Sequence, residues 1–389
     1  MRKIFYSIGY FLLLMFFADL GLQFYLKNDL VNKSLLTIHT IETILNDRKI
    51  DNAYSDISTI ERISNREFEQ FLPLGQISST NIIHCGENGY ISKYKSNSYG
   101  FNSKFKDTSI TLIGDSYVEG ACVNYKDTLA GNIENKTKYK VNNLGISGSS
   151  SIYQFAILKE YLENNSKIIL IFIEKNDLVE LKTEISHPIL YKYISLDDFS
   201  QNLKEKQKQI DLMLKEFHEK KLNGSINFEY SFKTKVKRYI ISNKLLYSLT
   251  LPVLRHLIKD IKNYSRKDAT KNINTNKTNF ENFETAVIKI NNLVKERNGE
   301  LTVVYLPAIQ RLLGLTNQFD NIFENVENIL IKNNINYFDL KKTIISHPDP
   351  KSLYSIHYNK YKFNNNVTLG HFNEDGYGFI SDAIIKLLD

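Results

Sequence analysis

The chain reads as an α/β protein built on a doubly wound, five-stranded parallel sheet. Three observations carry that reading. Short β-rich runs alternate with helical periodicity from about Thr108 onward. Two of those runs, Lys167–Ile173 (KIILIFI) and Leu301–Leu306 (LTVVYL), are almost continuously apolar, the pattern of strands buried on both faces. Parallel neighbours need crossover connections, and the intervening helical segments supply them. The 389 residues, 42% hydrophobic and 24% charged, hold enough apolar material for a sizeable core.

In chain order, Arg2 and Lys3 precede an apolar run from Ile4 to Ala18 that continues through Leu20, Leu22, Phe24 and Leu26. That length crosses a bilayer core as a helix. Asp19 lies past its midpoint, toward the far interface, where a carboxylate costs less than the ~3 kcal/mol it costs at the centre. No small-x-small cleavage pattern follows, so residues 1–27 are expected to be a retained anchor. The two basic residues before the run place the amino end in the cytoplasm and the remainder outside it, at the cell membrane.

Residues 28–105 form a helical and irregular segment. Ser34–Asn46 and Ser55–Glu69 repeat apolar residues every three or four positions, and Tyr90–Phe105 reads as irregular. Residues 106–389 form the main domain. Its strands are expected at 110–113, 138–142, 167–173, 301–306 and 336–340, and its helices at 128–135, 151–162, 281–296, 319–332 and 377–388. From about 178 to 280 the alternation is interrupted by a helical, basic insertion. Residues 201–280 carry 18 Lys/Arg against 7 Asp/Glu, a net of +11, so the rest of the +7 chain is about −4. Such a stretch suits an anionic partner or is a solvated face. A nucleic acid is not expected, because the other end of the chain points to a membrane.

Cys85 and Cys122 are the chain's two cysteines. Outside the cytoplasm they are candidates for one disulfide; two buried thiols would read the same way. The histidines are scattered and neither cysteine has a second ligand at metal-site spacing, so no metal or other cofactor is expected.

The chemistry-bearing segments fall at strand ends, where doubly wound sheets bind ligands. Gly114-Asp-Ser-Tyr-Val-Glu-Gly120 follows the first strand and puts the Ser116 hydroxyl at its carboxyl edge. Gly-Asp-Ser alone is a weak signal, expected by chance about 0.1 times in a chain this long. Asn143-Leu-Gly-Ile-Ser-Gly-Ser149 follows the second strand and Glu174-Lys-Asn-Asp177 the third. Gly370-His-Phe-Asn-Glu-Asp-Gly376 precedes the last helix. Asp115 reads as a cap of the turn, and His347 and His357 as surface or packing residues.

Together these four blocks resemble the SGNH (GDSL-type) hydrolase family, over roughly Thr108 to Asp389. The resemblance implies a flavodoxin-like fold, with Ser116 as nucleophile and His371 as general base. It also implies the Ser116 and Gly148 N–H groups and the Asn176 side chain as oxyanion donors, with Gly145 competing for the Gly148 role. The Cys85-Gly-Glu-Asn-Gly and Gly120-Ala-Cys-Val segments, with Lys159-Glu-Tyr and Glu174-Lys-Asn-Asp-Leu, look like an extracytoplasmic, polysaccharide-associated branch. That branch suggests an esterase or O-acyltransferase acting on acetyl groups of a carbohydrate. Two other functions stay open: a catalytically weak or inactive polysaccharide-binding component, and a lipase-like esterase on membrane lipids. One departure stands out. The family's aspartate three residues before the histidine is Thr368 here, leaving Thr368, Asp339 and Asp349 as candidates to orient His371.

Overall fold

A computed structural model describes residues 6, 10–11, 13–18, 59–61, 68, 71–84, 92–104, 108–163, 167–174, 176–222, 277–312, 318–355 and 370–388. Ser34–Asn46, Asp19 and most of the basic stretch lie outside them. Residues 13–18 are helical. Among the described residues, no helix is long and apolar enough to cross a membrane.

The main sheet has five parallel strands, β4 (Ile110–Ile113), β5 (Val141–Asn143), β6 (Lys167–Ile173), β7 (Glu300–Leu306) and β8 (Asn336–Asp339). Their order is β5-β4-β6-β7-β8, and every neighbouring pair is parallel. The order reverses between β4 and β6, as in flavodoxin-like sheets, and leaves a crevice at their carboxyl ends.

Alternating side chains of β6 divide the core in two. Ile168, Leu170 and Phe172 face a layer built by α3 (Ser151–Tyr161), α4 (Asn176–Ser186), α5 (Pro188–Ser195), α6 (Gln207–Leu222), α7 (Lys277–Glu296) and α9 (Gln318–Lys332). Ile169, Ile171 and Ile173 face α2 (Leu129–Lys136), α10 (Lys341–Ile345) and α11 (Glu374–Ile385). This two-sided burial is why β6 carries no polar alternation. Helix α3 is buried on nearly every side, so it too lacks an amphipathic stripe.

The approach to the domain differs from the sequence expectation. Thr59–Glu61, within the run expected to be helical, is strand β1. It pairs with β2 (Asn81–Ile83), which pairs with β3 (Lys93–Lys95) inside the run expected to be irregular. Periodicity over three residues cannot distinguish a strand from a helical turn, and the pairing partner lies about twenty residues away. Leu72, Leu74, Ile77 and Phe101 are buried in the same core as β6 and α3. Gln201 bonds both backbone groups of Leu72, at 2.9 and 3.1 Å, and Asp211 binds Ser78. The expected insertion starts at Leu178, which is fully buried in this core.

Candidate active site

Ser116 opens α1 (Ser116–Glu119), a four-residue helix directly after β4. Asp115 caps it, its Oδ1 accepting from the Tyr117 N–H at 2.9 Å. Two buried asparagines fasten the other end: Asn143 donates to the Val118 carbonyl (2.8 Å) and Asn102 to the Glu119 carbonyl (2.7 Å). These carbonyls have no intrahelical partner in so short a helix, and the amides satisfy them. Gly120 then leaves in the left-handed conformation, φ 88°.

His371 reaches the serine from the far end of the sequence, its Nε2 2.8 Å from Ser116 Oγ. It is held by backbone and aromatic contacts. Its carbonyl accepts from the Ser355 N–H (2.8 Å), and the next residue, Phe372, forms a bridge with Tyr354. Phe372 packs among Tyr117, Tyr354 and Tyr377, while the Tyr117 ring lies against the His371 imidazole with centroids 5.0 Å apart. Asn373 caps α11 and donates to the Ser352 carbonyl, fixing the loop's exit.

The expected oxyanion groups follow three adjacent strands: Ser116 after β4, Gly148 after β5 and Asn176 after β6. The Ser116 N–H has no intrahelical acceptor, being the first of its helix. Gly148 has φ +75°, and a Cβ there would meet only Glu180 Oε1, at 3.8 Å. Gly145 differs. A Cβ on it would lie 2.2 Å from the Glu119 nitrogen, so its missing side chain lets the β5 loop pack against α1. Asn176 is exposed at the start of α4, and its amide donates to the Asp115 carboxylate.

Electrostatically the site is a set of buried carboxylates. Burial raises Asp115 to about 6, while the Tyr117 N–H, His371, Ser116 and Asn176 oppose that rise. Asp177 lies next to it and accepts from the Ile173 N–H. Burial pushes Asp177 well up, and the neighbouring Asp115 adds to the effect. Each of these buried carboxylates disfavours the charged form of the other.

Two of the three candidates for orienting His371 have other partners. Asp349 caps a 3-10 turn and accepts from the Lys351 N–H, and Asp339 accepts from Lys341 N–H and faces Arg311. Thr368 lies outside the described residues, as does His357. His347 packs on Phe379. Near His371 Nδ1 the structure places Cys122 Sγ, at 3.9 Å. Cys122 is disulfide-bonded; Cys85, the expected partner, lies outside the described residues. Among the described residues no group of His, Cys, Asp and Glu could hold a metal ion.

Sequence reasoning missed the fully buried Glu119 and its partners Tyr94, Ser147 and His84. The one available signal was an acidic residue among Tyr117, Val118 and Ala121 in the Ser116 segment.

No protein-family model and no curated protein matches the chain. Among solved structures it is similar to one provisionally described as a lipolytic protein of the G-D-S-L family, from Desulfitobacterium hafniense DCB-2. The identity is 9% and the TM-score 0.37, over 72% of this chain and 99% of that one.

Proposed function

We propose that the protein is a serine esterase or O-acyltransferase working through an acyl-Ser116 intermediate. The observation that carries this reading is the 2.8 Å contact between Ser116 Oγ and His371 Nε2 at the sheet's switch point. In this mechanism Nε2 takes the hydroxyl proton as Oγ attacks an ester carbonyl. The Ser116 and Gly148 N–H groups and the Asn176 amide receive the oxyanion. Asn176 has two amide hydrogens, so one can hold Asp115 while the other faces the substrate. The imidazolium returns its proton to the leaving alkoxide. Water or a second hydroxyl then takes the acyl group by the same steps in reverse.

The finer reading is an acylated, and specifically acetylated, carbohydrate of the cell surface. It is supported by the motif resemblance. The apolar run 4–26 anchors the protein in the membrane with its catalytic domain outside the cytoplasm. Exposed Tyr6, Tyr10, Phe11, Leu13, Leu14 and Phe17 support that reading. The basic stretch 201–280 offers an anionic partner a complementary surface. A second reading, a carbohydrate-binding protein of low activity, is motivated by Thr368 standing where the resembled family has its orienting aspartate, since loss of such a carboxylate costs ~10⁴ in rate in serine proteases.

One experiment on the full chain addresses these points. Expressed in a bacterial host and separated into membrane and soluble fractions, the wild type should label with a fluorophosphonate in the carbonate-washed membrane. It should also hydrolyse a short-chain aryl ester, and Ser116→Ala should do neither. Equal behaviour of wild type and Ser116→Ala removes the enzyme reading, and labelled protein found only in the soluble fraction removes the anchor.

A further inference from the structure

We infer that Glu119 is a positioning residue that sets the oxyanion donor at Gly148, an inference that rests on the acyl-transfer reading above. Glu119 ends the helix that Ser116 begins, and its carboxylate is fully buried. Oε2 accepts from both the backbone N–H (2.6 Å) and the hydroxyl (2.5 Å) of Ser147, the residue before Gly148. Oε1 accepts from the Tyr94 hydroxyl at 2.9 Å. His84 closes the set, its Nε2 3.1 Å from Ser147 Oγ and 3.5 Å from Glu119 Oε2.

The hydrogen-bond directions are constrained. The Ser147 hydroxyl gives its one proton to the carboxylate, so it accepts from His84 Nε2–H. His84 Nδ1 is buried and has no partner among the described residues. The rest of the turn is closed by the Ser149 N–H to Ile146 carbonyl bond (3.0 Å), the Ser149 hydroxyl to Gly114 carbonyl bond (3.0 Å) and the Ile146 N–H to Gly114 carbonyl bond (3.1 Å). Most of these bonds return to the Gly114–Glu119 segment or to the turn itself, while His84 on Ser147 and the Gln154 amide on the Ser149 carbonyl (3.2 Å) come from outside. Among the described residues the Gly148 N–H donates to no acceptor.

The consequence is mechanical. The serine and the second oxyanion donor are on different loops, after β4 and β5. Two charge-assisted bonds from the nucleophile's own helix make them one unit, and such bonds are roughly twice as strong as neutral ones. Oxyanion donors contribute to rate only when preorganised, so loosening Ser147 should reduce transition-state stabilisation and leave ground-state binding alone.

The test compares Glu119→Gln, Glu119→Ala and Tyr94→Phe, measuring kcat, KM and amide hydrogen exchange across residues 146–149. The glutamine keeps one acceptor oxygen for Ser147 and can donate to Tyr94. The order expected for kcat is wild type, then Glu119→Gln down about 10-fold, then Glu119→Ala down about 10²-fold, with KM within about 3-fold throughout. Tyr94→Phe cuts the opposite side of the same carboxylate and should keep kcat within about 2-fold, although its melting temperature falls. Exchange at 146–149 should rise in both Glu119 variants and stay unchanged in Tyr94→Phe. A folded Glu119→Ala whose kcat matches Tyr94→Phe overturns the inference. If Glu119→Ala does not fold, an unchanged kcat in Glu119→Gln overturns it. A wild type without turnover sinks the acyl-transfer reading instead. Exchange then decides alone, and unchanged exchange in Glu119→Gln overturns the positioning role.

Discussion

At the scale of single residues, the two glycines of the β5 loop do different work, and they should fail differently. Gly145 is a matter of contact: an added Cβ would press on the Glu119 nitrogen at 2.2 Å and the Val118 carbonyl carbon at 2.6 Å, both backbone atoms that cannot rotate away. Gly148 is a matter of conformation: space is open, but φ +75° costs an L-residue roughly 1–2 kcal/mol. Gly145→Ala is therefore expected to lose at least about 2 kcal/mol in urea unfolding, by overpacking of the core. Gly148→Ala should lose about 1 kcal/mol. A larger loss at Gly148 than at Gly145 would contradict this division. The sequence named Gly145 and Gly148 as alternatives for one role because both lie in the short loop after the second strand. Only the packing of α1 on one of them separates the two.

At the scale of elements, the site depends on how helices begin. Ser150 precedes α3, yet its side chain makes no capping bond and donates instead to the Asp177 carbonyl. The cap comes from another helix. Glu184 of α4 accepts from the N–H groups of Ser150 (2.5 Å), Ile152 (3.2 Å) and Tyr153 (3.1 Å). A carboxylate at a helix N-terminus is also favoured by the helix dipole. Since α4 begins at Asn176 and α3 follows the Gly148 turn, Glu184 ties together the elements that carry two of the proposed donors. Glu184→Ala should cost about 3 kcal/mol, because three N–H groups lose a charged acceptor in a buried place. Circular dichroism melts against wild type would check it, and a loss below about 1 kcal/mol would mean water or Ser150 replaces the cap. The expected helix 151–162 begins where α3 does. Nothing in the sequence signals that a glutamate 34 residues on is the partner.

For the whole molecule, the buried carboxylates set how stability changes with pH. Asp115 is raised from 3.8 to about 6 and Glu174 from 4.5 to about 7, each chiefly by burial. A raised carboxylate keeps its proton more firmly in the folded state than in the unfolded chain. Its stabilisation is thus fully present below the unfolded value and is lost as pH rises through the folded one. For Asp115 the window runs from about 4 to about 6, and the loss is on the order of 3 kcal/mol. Asp115→Asn keeps a capping oxygen for Tyr117 and removes the titration. Urea unfolding at pH 4.5 and 7.5 should therefore show the wild type losing stability with rising pH by more than the variant does. Parallel slopes for the two proteins would show that Asp115 does not ionise in this window.

What the sequence determined by itself is the order of elements around the main sheet and the strand ends where polar residues collect. These are local properties. Apolar runs such as KIILIFI and the 3.6-residue repeat of 281–296 register within windows of seven to sixteen residues, and both sheet faces need covering whatever the distant partners are. The positions of Ser116, Gly148 and Asn176 after adjacent strands follow from that order, because a doubly wound sheet brings successive loops to one edge. Tertiary structure decided the rest. The 255-residue separation between Ser116 and His371 is closed by sheet and helix packing, which periodicity does not encode. Which atom stands at His371 Nδ1, and which carboxylate holds the Gly148 turn, depend on side-chain contacts between loops. Such contacts are fixed only once burial has excluded water, leaving each polar group to find its partner among whatever the fold brings near.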